Sequence, residues 1–164
     1  DDKITPIGPK ARNINKEYDF NDGEFNQLVY WMNRDIIDDY PLDLISPVDW
    51  TDETQNINDR VRSYLDVNCG HCHSPTGNAN STGLYLHLNE TRDIHLGVNK
   101  KPVATGRGSG GMKYSIVPGK PEESILLHRM ISLDPGVMMP ESGRALSHNE
   151  AVDMVRSWIL LMKE

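Results

Sequence analysis

The amino-acid sequence predicts an all-α fold, with a loop-rich insertion that could include a short β-hairpin and an N-terminal extension that carries one helix. Apolar side chains recur at helical spacing in four segments of the 164-residue chain, whereas region 74–120 is rich in Gly, Asn, Ser and Thr. Residues 1–55 carry 13 acidic and 5 basic side chains, a net charge of −8, and residues 56–164 carry 11 acidic and 12 basic ones, a net charge of +1. We therefore expect an acidic extension over 1–55 that wraps a nearly neutral domain over 56–164.

The first two predicted helices precede the two cysteines of the chain. One spans about 22–38, where a capping box of Asn21 and Glu24 leads into apolar residues at helical spacing: Phe25, Leu28, Val29, Met32 and Ile36. The other runs directly into Cys69, and one of its faces holds Ile57, Val61, Tyr64 and Leu65. The cysteine motif is therefore expected to begin at a helix C-terminus.

Two more helices are predicted on the C-terminal side of the insertion. Within the insertion, the alternation of Leu84, Leu86 and Leu88 favours one short strand pair. A helix over about 121–132 begins with a proline and ends before Pro135-Gly136. The last helix follows a capping box of Ser147 and Glu150, and its apolar stripe contains Ala151, Val152, Val155, Trp158, Ile159 and Met162.

The composition limits the classes of partner. The apolar content of 37% and the mean hydropathy of −0.55 are low for a domain of this size, so a bulky apolar cofactor would help to complete the core. An acidic balance argues against nucleic-acid binding, which depends on clustered Lys and Arg. The sequence contains no apolar run long enough for a membrane span, and its first residues do not resemble a signal peptide, so we expect that any such leader has been removed.

The sequence CGHCH at 69–73 matches C-x-x-C-H, the attachment signature of c-type haem, in which the thiols form thioethers and the histidine reaches the iron. Three alternatives remain open for this motif. A thiol–disulfide exchange centre normally has a strand before the first cysteine, but here a helical face precedes it. A zinc site would need two histidines at a familiar spacing, which the sequence does not offer. The third alternative is an ordinary disulfide between the two cysteines.

A second axial ligand is expected in the loop before the last helix. Met thioethers are common there in electron-transfer haems and favour the ferrous state. We favour Met139 over Met138, because the residue directly before Pro140 is held extended.

The order of these motifs resembles the class I single-haem cytochromes c, and within them the C-terminal haem domains of secreted bacterial cytochrome c proteins of the planctomycete type. The matching segments are CGHCH at 69–73, GLYLHL at 83–88, SIVPGKPEESILLHRM at 115–130, MMPESGRALSH at 138–148 and SWI at 157–159. The resemblance implies one covalent haem c, attached at Cys69 and Cys72, with iron ligands His73 and Met139. It also implies that the chain could be excised from a larger secreted protein, because residues 1–57 resemble a segment that precedes such domains.

Three further residues are assigned to the cofactor. The carbonyl of Pro118 is the expected acceptor for the second ring N–H of His73. Arg107, in the glycine-dense loop, is a candidate partner for a haem propionate, whereas Arg129 is expected to form a structural ion pair with Glu141. Trp158 should pack near the haem edge as part of the core.

These assignments predict an electron-transfer protein that catalyses no reaction itself. The acidic extension would steer it toward a redox partner with a basic patch. Covalent haem c is assembled outside the cytoplasm, so the resemblance implies a periplasmic or extracellular protein. Two alternatives are a haem with an open distal position, for gas or peroxide chemistry, and a haem docking module of a larger redox enzyme.

Overall fold

The computed structural model describes residues 9–163 of a chain that divides into two compact units, Asp1–Val48 and Asp49–Glu164. In the first unit, helix α1 (Ala11–Ile14) is followed by strands β1 (Glu17–Phe20) and β2 (Gly23–Asn26) and by helix α2 (Gln27–Met32). The strands form an antiparallel pair, in which Tyr18 lies opposite Phe25. The protein is therefore helix-rich, as predicted, but the all-α prediction is wrong for this segment.

Helix α2 is much shorter than the helix predicted over 22–38. Its N-cap is Asn26, whose side chain accepts hydrogen bonds from the N–H groups of Leu28 and Val29 at 3.1 and 3.3 Å. The chain turns left-handed at Asp35, with φ of 55°, just beyond the helix. The predicted capping box is wrong because Glu24 belongs to β2. A tight turn just before Gly23 joins β1 to β2 in a hairpin.

The second unit contains four helices in its described part: α3 (Ile57–Asn68), α4 (Asp93–Leu96), α5 (Ile125–Ile131) and α6 (Asn149–Leu161). Short 3₁₀ turns occur at Asn80–Thr82, Gly106–Ser109 and Pro121–Glu123. Helix α3 contains the predicted apolar face and ends directly at Cys69, as expected. The strand pair predicted around 84–88 is wrong, since that segment has no strand and the insertion forms only isolated bridges, such as Val98 with Ile116.

Helices α3, α5 and α6 enclose the core of the second unit. Eleven buried residues form one cluster: Val61, Leu65, Leu86, Ile116, Leu127, Met130, Val152, Met154, Val155, Trp158 and Ile159. Trp158 is buried as predicted, and its indole N–H donates to the Asn58 side chain at 3.2 Å. Within residues 9–163, no helix has the length and apolar character that a bilayer crossing requires.

The start of α6 differs from the prediction. Its N-cap is His148, and the helix has no side-chain cap. The hydroxyl of Ser147, expected to cap this helix, instead lies 3.4 Å from the carbonyl oxygen of Met130. The predicted third helix is split, because a 3₁₀ turn at Pro121–Glu123 precedes α5.

Candidate functional site

The C-x-x-C-H motif forms one compact turn at the end of α3. The N–H groups of Cys69 and Gly70 both donate to the Leu65 carbonyl at 2.9 Å, which closes the helix. The Cys69 carbonyl then accepts from the N–H groups of Cys72 and His73, at 3.1 and 2.9 Å. The structure therefore winds both cysteines and the histidine into a single turn, as the attachment chemistry requires.

Two glycines allow this turn to pack tightly. A Cβ atom on Gly70 would lie 2.8 Å from the Asp66 carbonyl oxygen, and one on Gly77 would lie 2.2 Å from the carbonyl oxygen of Cys72. That same oxygen of Cys72 accepts from the Ala79 N–H at 3.0 Å. The backbone that follows the motif thus folds directly against it, at a distance that no side chain would permit.

The cysteine pair carries free thiols. Burial raises the pKa of Cys69 to about 12, and the neighbouring Cys72 adds to the increase. Cys69 is therefore protonated at neutral pH. This argues against the thiol–disulfide exchange interpretation, because such centres use a cysteine whose pKa is lowered.

The imidazole of His73 is suited to act as a metal ligand. Burial lowers its pKa, and an interaction with the Leu84 backbone opposes the decrease only in part, so the neutral form with a free lone pair is favoured. Within the described chain, the buried Nδ1 atom of His73 has no hydrogen-bond partner. Pro118 is buried, and its role as an acceptor for His73 stays a prediction.

Met139 lies in a loop of residues 133–147, called here the Met139 loop, that joins α5 to α6. The N–H of Met139 donates to the carbonyl of Arg129 at 2.9 Å, and the Nε of Arg129 donates to the Val137 carbonyl at 2.8 Å. The N–H groups of Val137 and Met138 both donate to the Asp134 carbonyl at 2.8 Å. Met138 and Met139 are both half-buried.

The structure brings the Met139 loop and the His73 turn into electrostatic range of each other. The charges of Arg129 and Glu141 both act on the pKa of His73, the first lowering it and the second raising it. Burial lowers the pKa of Arg129, and the charge of Glu141 opposes this decrease, but no direct ion pair joins the two side chains in the described part of the chain, so the expected ion pair is not observed. Because Glu141 is two residues from Met139, the predicted distal ligand belongs to a loop within electrostatic range of the predicted proximal one.

Arg144 is a residue that sequence reasoning missed. Its guanidinium donates to the carbonyls of Met130 and Arg129 at 2.7 and 3.1 Å, and to that of Ser132. These carbonyls belong to the C-terminal end of α5, where helices leave such groups unpaired. Its acceptors are backbone carbonyls 12 to 15 positions earlier, so the sequence carried no signal for this role.

Arg107 has a protein carboxylate as its partner. Its guanidinium lies 3.0 Å from an Asp134 oxygen, and both side chains are largely exposed. It also covers Gly136, where an added Cβ would collide with the guanidinium. The assignment of Arg107 to a haem propionate therefore stays a prediction, as does the proximity of Trp158 to the haem edge.

A buried ionic network supports the segment after the motif. Arg62 donates to the carbonyls of His87, Leu88 and Glu90, each at 2.8 Å, while the buried carboxylate of Asp66 accepts from the Leu88 N–H at 3.0 Å. Hydrogen bonds from Arg92 hold the pKa of Glu90 far below its usual range, at about 2.

This network reaches the candidate site through one backbone contact. The N–H of Leu86 donates to the His73 carbonyl at 2.8 Å. Sequence reasoning treated the segment as a loop and missed these contacts, since a polar residue in an amphipathic pattern gives no sign that it will be buried.

Two surface clefts lie outside the candidate site. Their volumes are about 470 and 480 Å³, and their lining residues do not include Cys69, His73 or Met139.

In the described part of the chain, no three His, Cys, Asp or Glu side chains are grouped to hold a metal ion. A haem needs no such group, because the porphyrin and two axial side chains hold its iron. The donor set and the unpartnered Nδ1 of His73 therefore fit a haem.

Comparison with known proteins gives no match. A scan against family models, a search of curated proteins and a search of solved structures each found nothing similar.

Proposed function

We propose that this protein carries one electron at a time on a single covalently bound haem c, with His73 and Met139 as the iron ligands. The observation that carries the proposal is the compact turn at the end of α3, which holds Cys69, Cys72 and His73 together. Arg129 and Glu141, which hold and flank Met139, act electrostatically on His73, which supports a second ligand from this loop.

Each residue has a defined part in this function. Cys69 and Cys72 would bind the porphyrin edge, and His73 and Met139 would donate a nitrogen and a sulfur lone pair to iron. When bound, the haem supplies the reversible one-electron chemistry of iron. The neutral His73 needs no deprotonation to act as a ligand, because burial already lowers its pKa.

The proposal includes an exported protein, periplasmic or extracellular, and a protein redox partner. The net charge of −8 over residues 1–55 would attract a partner that carries a basic patch, and added salt would weaken this attraction.

The experiment is to produce the chain with a haem c maturation system and to measure covalent haem after denaturing electrophoresis. The ferric protein should then have the weak far-red absorption band of a Met–iron bond. Met139→Ala should remove this band, whereas the matched control Met138→Ala should retain it. Carbon monoxide should fail to bind the reduced wild-type protein.

Absence of covalent haem would overturn the proposal as a whole. Rapid carbon monoxide binding to the wild-type protein would instead indicate an open distal position and would overturn the electron-carrier function. Loss of the band in Met138→Ala but not in Met139→Ala would exchange the ligand assignment only.

A further inference from the structure

We propose that Arg129 and Arg144 are positioning residues that pin both flanks of the Met139 loop to α5, and so determine how readily Met139 leaves its place. This inference rests on the function proposed above. We call the two side chains and the α5 carbonyl groups they organise the arginine clamp.

Arg129 holds the first flank of the loop through two groups. Its Nε donates to the Val137 carbonyl at 2.8 Å, while its own carbonyl accepts from the Met139 N–H at 2.9 Å. The guanidinium is confined, because its Cζ lies only 3.2 Å from the position of a Cβ on Gly108. A larger residue at position 108 would displace it, so this side of the clamp depends on a close backbone approach.

Arg144 holds the second flank. It donates to the carbonyls of Met130, Arg129 and Ser132, which lie 12 to 15 positions earlier in the chain. The Arg129 carbonyl therefore accepts both from Arg144, at 3.1 Å, and from the Met139 N–H, at 2.9 Å. This shared acceptor couples the two flanks, so that release of either arginine should loosen Met139.

The hydrogen bonds of the arginine clamp run from charged guanidinium groups to backbone carbonyls. A hydrogen bond from a charged group to a partly buried carbonyl stabilises more than a neutral one, so removing one arginine should raise the open fraction of the loop about tenfold. Arg156 is a suitable control, since it lies outside the Met139 loop and binds Glu122 and Asp153 through exposed ion pairs, which are expected to contribute little.

The test compares the haem-loaded wild-type protein with Arg129→Gln, Arg144→Gln and Arg156→Gln. Each protein is heated in the ferric form while the far-red band and the helical circular dichroism signal are followed separately. We expect the first two variants to lose the band well below the unfolding temperature and, when reduced, to bind carbon monoxide about tenfold faster than the wild type. Arg156→Gln should behave as the wild type does.

Lysine variants keep the test decisive if a glutamine variant does not fold. Arg129→Lys and Arg144→Lys retain the charge but lose the forked donor geometry, so they should show the same early loss of the band to a smaller degree. The clamp is overturned if band and helix signals disappear together in every variant, with unchanged carbon monoxide rates. Absence of covalent haem or of the band in the wild type would instead overturn the proposed function, and the clamp with it.

Discussion

The backbone hydrogen bonds that close the Cys69–His73 turn on α3 join residues no more than five positions apart, and only the outer contacts from Ala79 and Leu86 come from farther along the chain. The Met139 loop depends on longer connections, because Arg144 reaches carbonyls 12 to 15 positions away and Met139 donates to Arg129, ten positions earlier. The turn of one candidate ligand is thus closed by its immediate sequence neighbours, whereas the loop of the other is held by a helix and two side chains.

This difference predicts different responses to change. The proximal turn should form whenever α3 forms, because its bonds continue the end of that helix. The Met139 loop should form only when α5 is in place and its carbonyls are available. Changes around the turn should therefore affect folding and haem attachment, whereas changes around the loop should first affect the iron–Met bond.

The largest effect is expected for Gly77→Ala. The new Cβ would lie 2.2 Å from the backbone oxygen of Cys72, which cannot move without breaking the turn, so we expect a loss of about 3 kcal/mol or more in the free energy of unfolding. In the control Gly106→Ala, the Cβ has no neighbour within 4 Å, and the φ of 48° alone should cost about 1 kcal/mol. Urea unfolding measures both, and equal losses would show that the close approach is unimportant.

The second prediction concerns support behind the turn. Arg62→Met removes a buried guanidinium from three carbonyls, which should lower the free energy of unfolding by about 2–3 kcal/mol. The control Arg156→Met breaks exposed ion pairs with Glu122 and Asp153 and should cost less than about 1 kcal/mol. In the Arg62 variant, the far-red band should persist until unfolding. An early loss of the band would contradict the separation of the two regions.

A smaller effect is expected for Glu90, and it depends on pH. The pKa of Glu90 is lowered to about 2 in the folded protein, so its ionised form stabilises the fold above the ordinary carboxyl pKa and this contribution is lost as the pH falls toward 2. Glu90→Gln should therefore flatten the decline in unfolding free energy between about pH 5 and pH 2. Urea titrations at several pH values measure this decline. The same decline at low pH in Glu90→Gln and in the wild type would contradict the prediction.

The smallest effect is expected for Ser147→Ala. A helix cap at this position would be worth about 1 kcal/mol, but in the structure the hydroxyl makes only a long contact of 3.4 Å with the Met130 carbonyl. We expect a change below about 0.5 kcal/mol in the free energy of unfolding. A loss near 1 kcal/mol would instead support the capping box that the sequence predicts.

The success of the helix predictions depended on how much of each pattern is local. Helix α3 was predicted with its observed face and its end at Cys69, because its apolar face and the motif after it are continuous in sequence. Helix α2 was misplaced, since Phe25 fits a helical stripe equally well but pairs with Tyr18 in the hairpin. A period of two and a period near four share many positions over a few residues, and the turn at Gly23 decides between them.

Sequence alone determined that Cys69, Cys72 and His73 share one turn, because the spacing of the motif is local and a helix end is enough to form it. Tertiary structure alone decided the roles of Arg62, Arg129 and Arg144. Their acceptors are backbone carbonyls, which every residue possesses, so no pattern of side chains marks them in advance. Only the packing of residues 87–90 against α3 and of the Met139 loop against α5 brings those carbonyls within reach of the guanidinium groups.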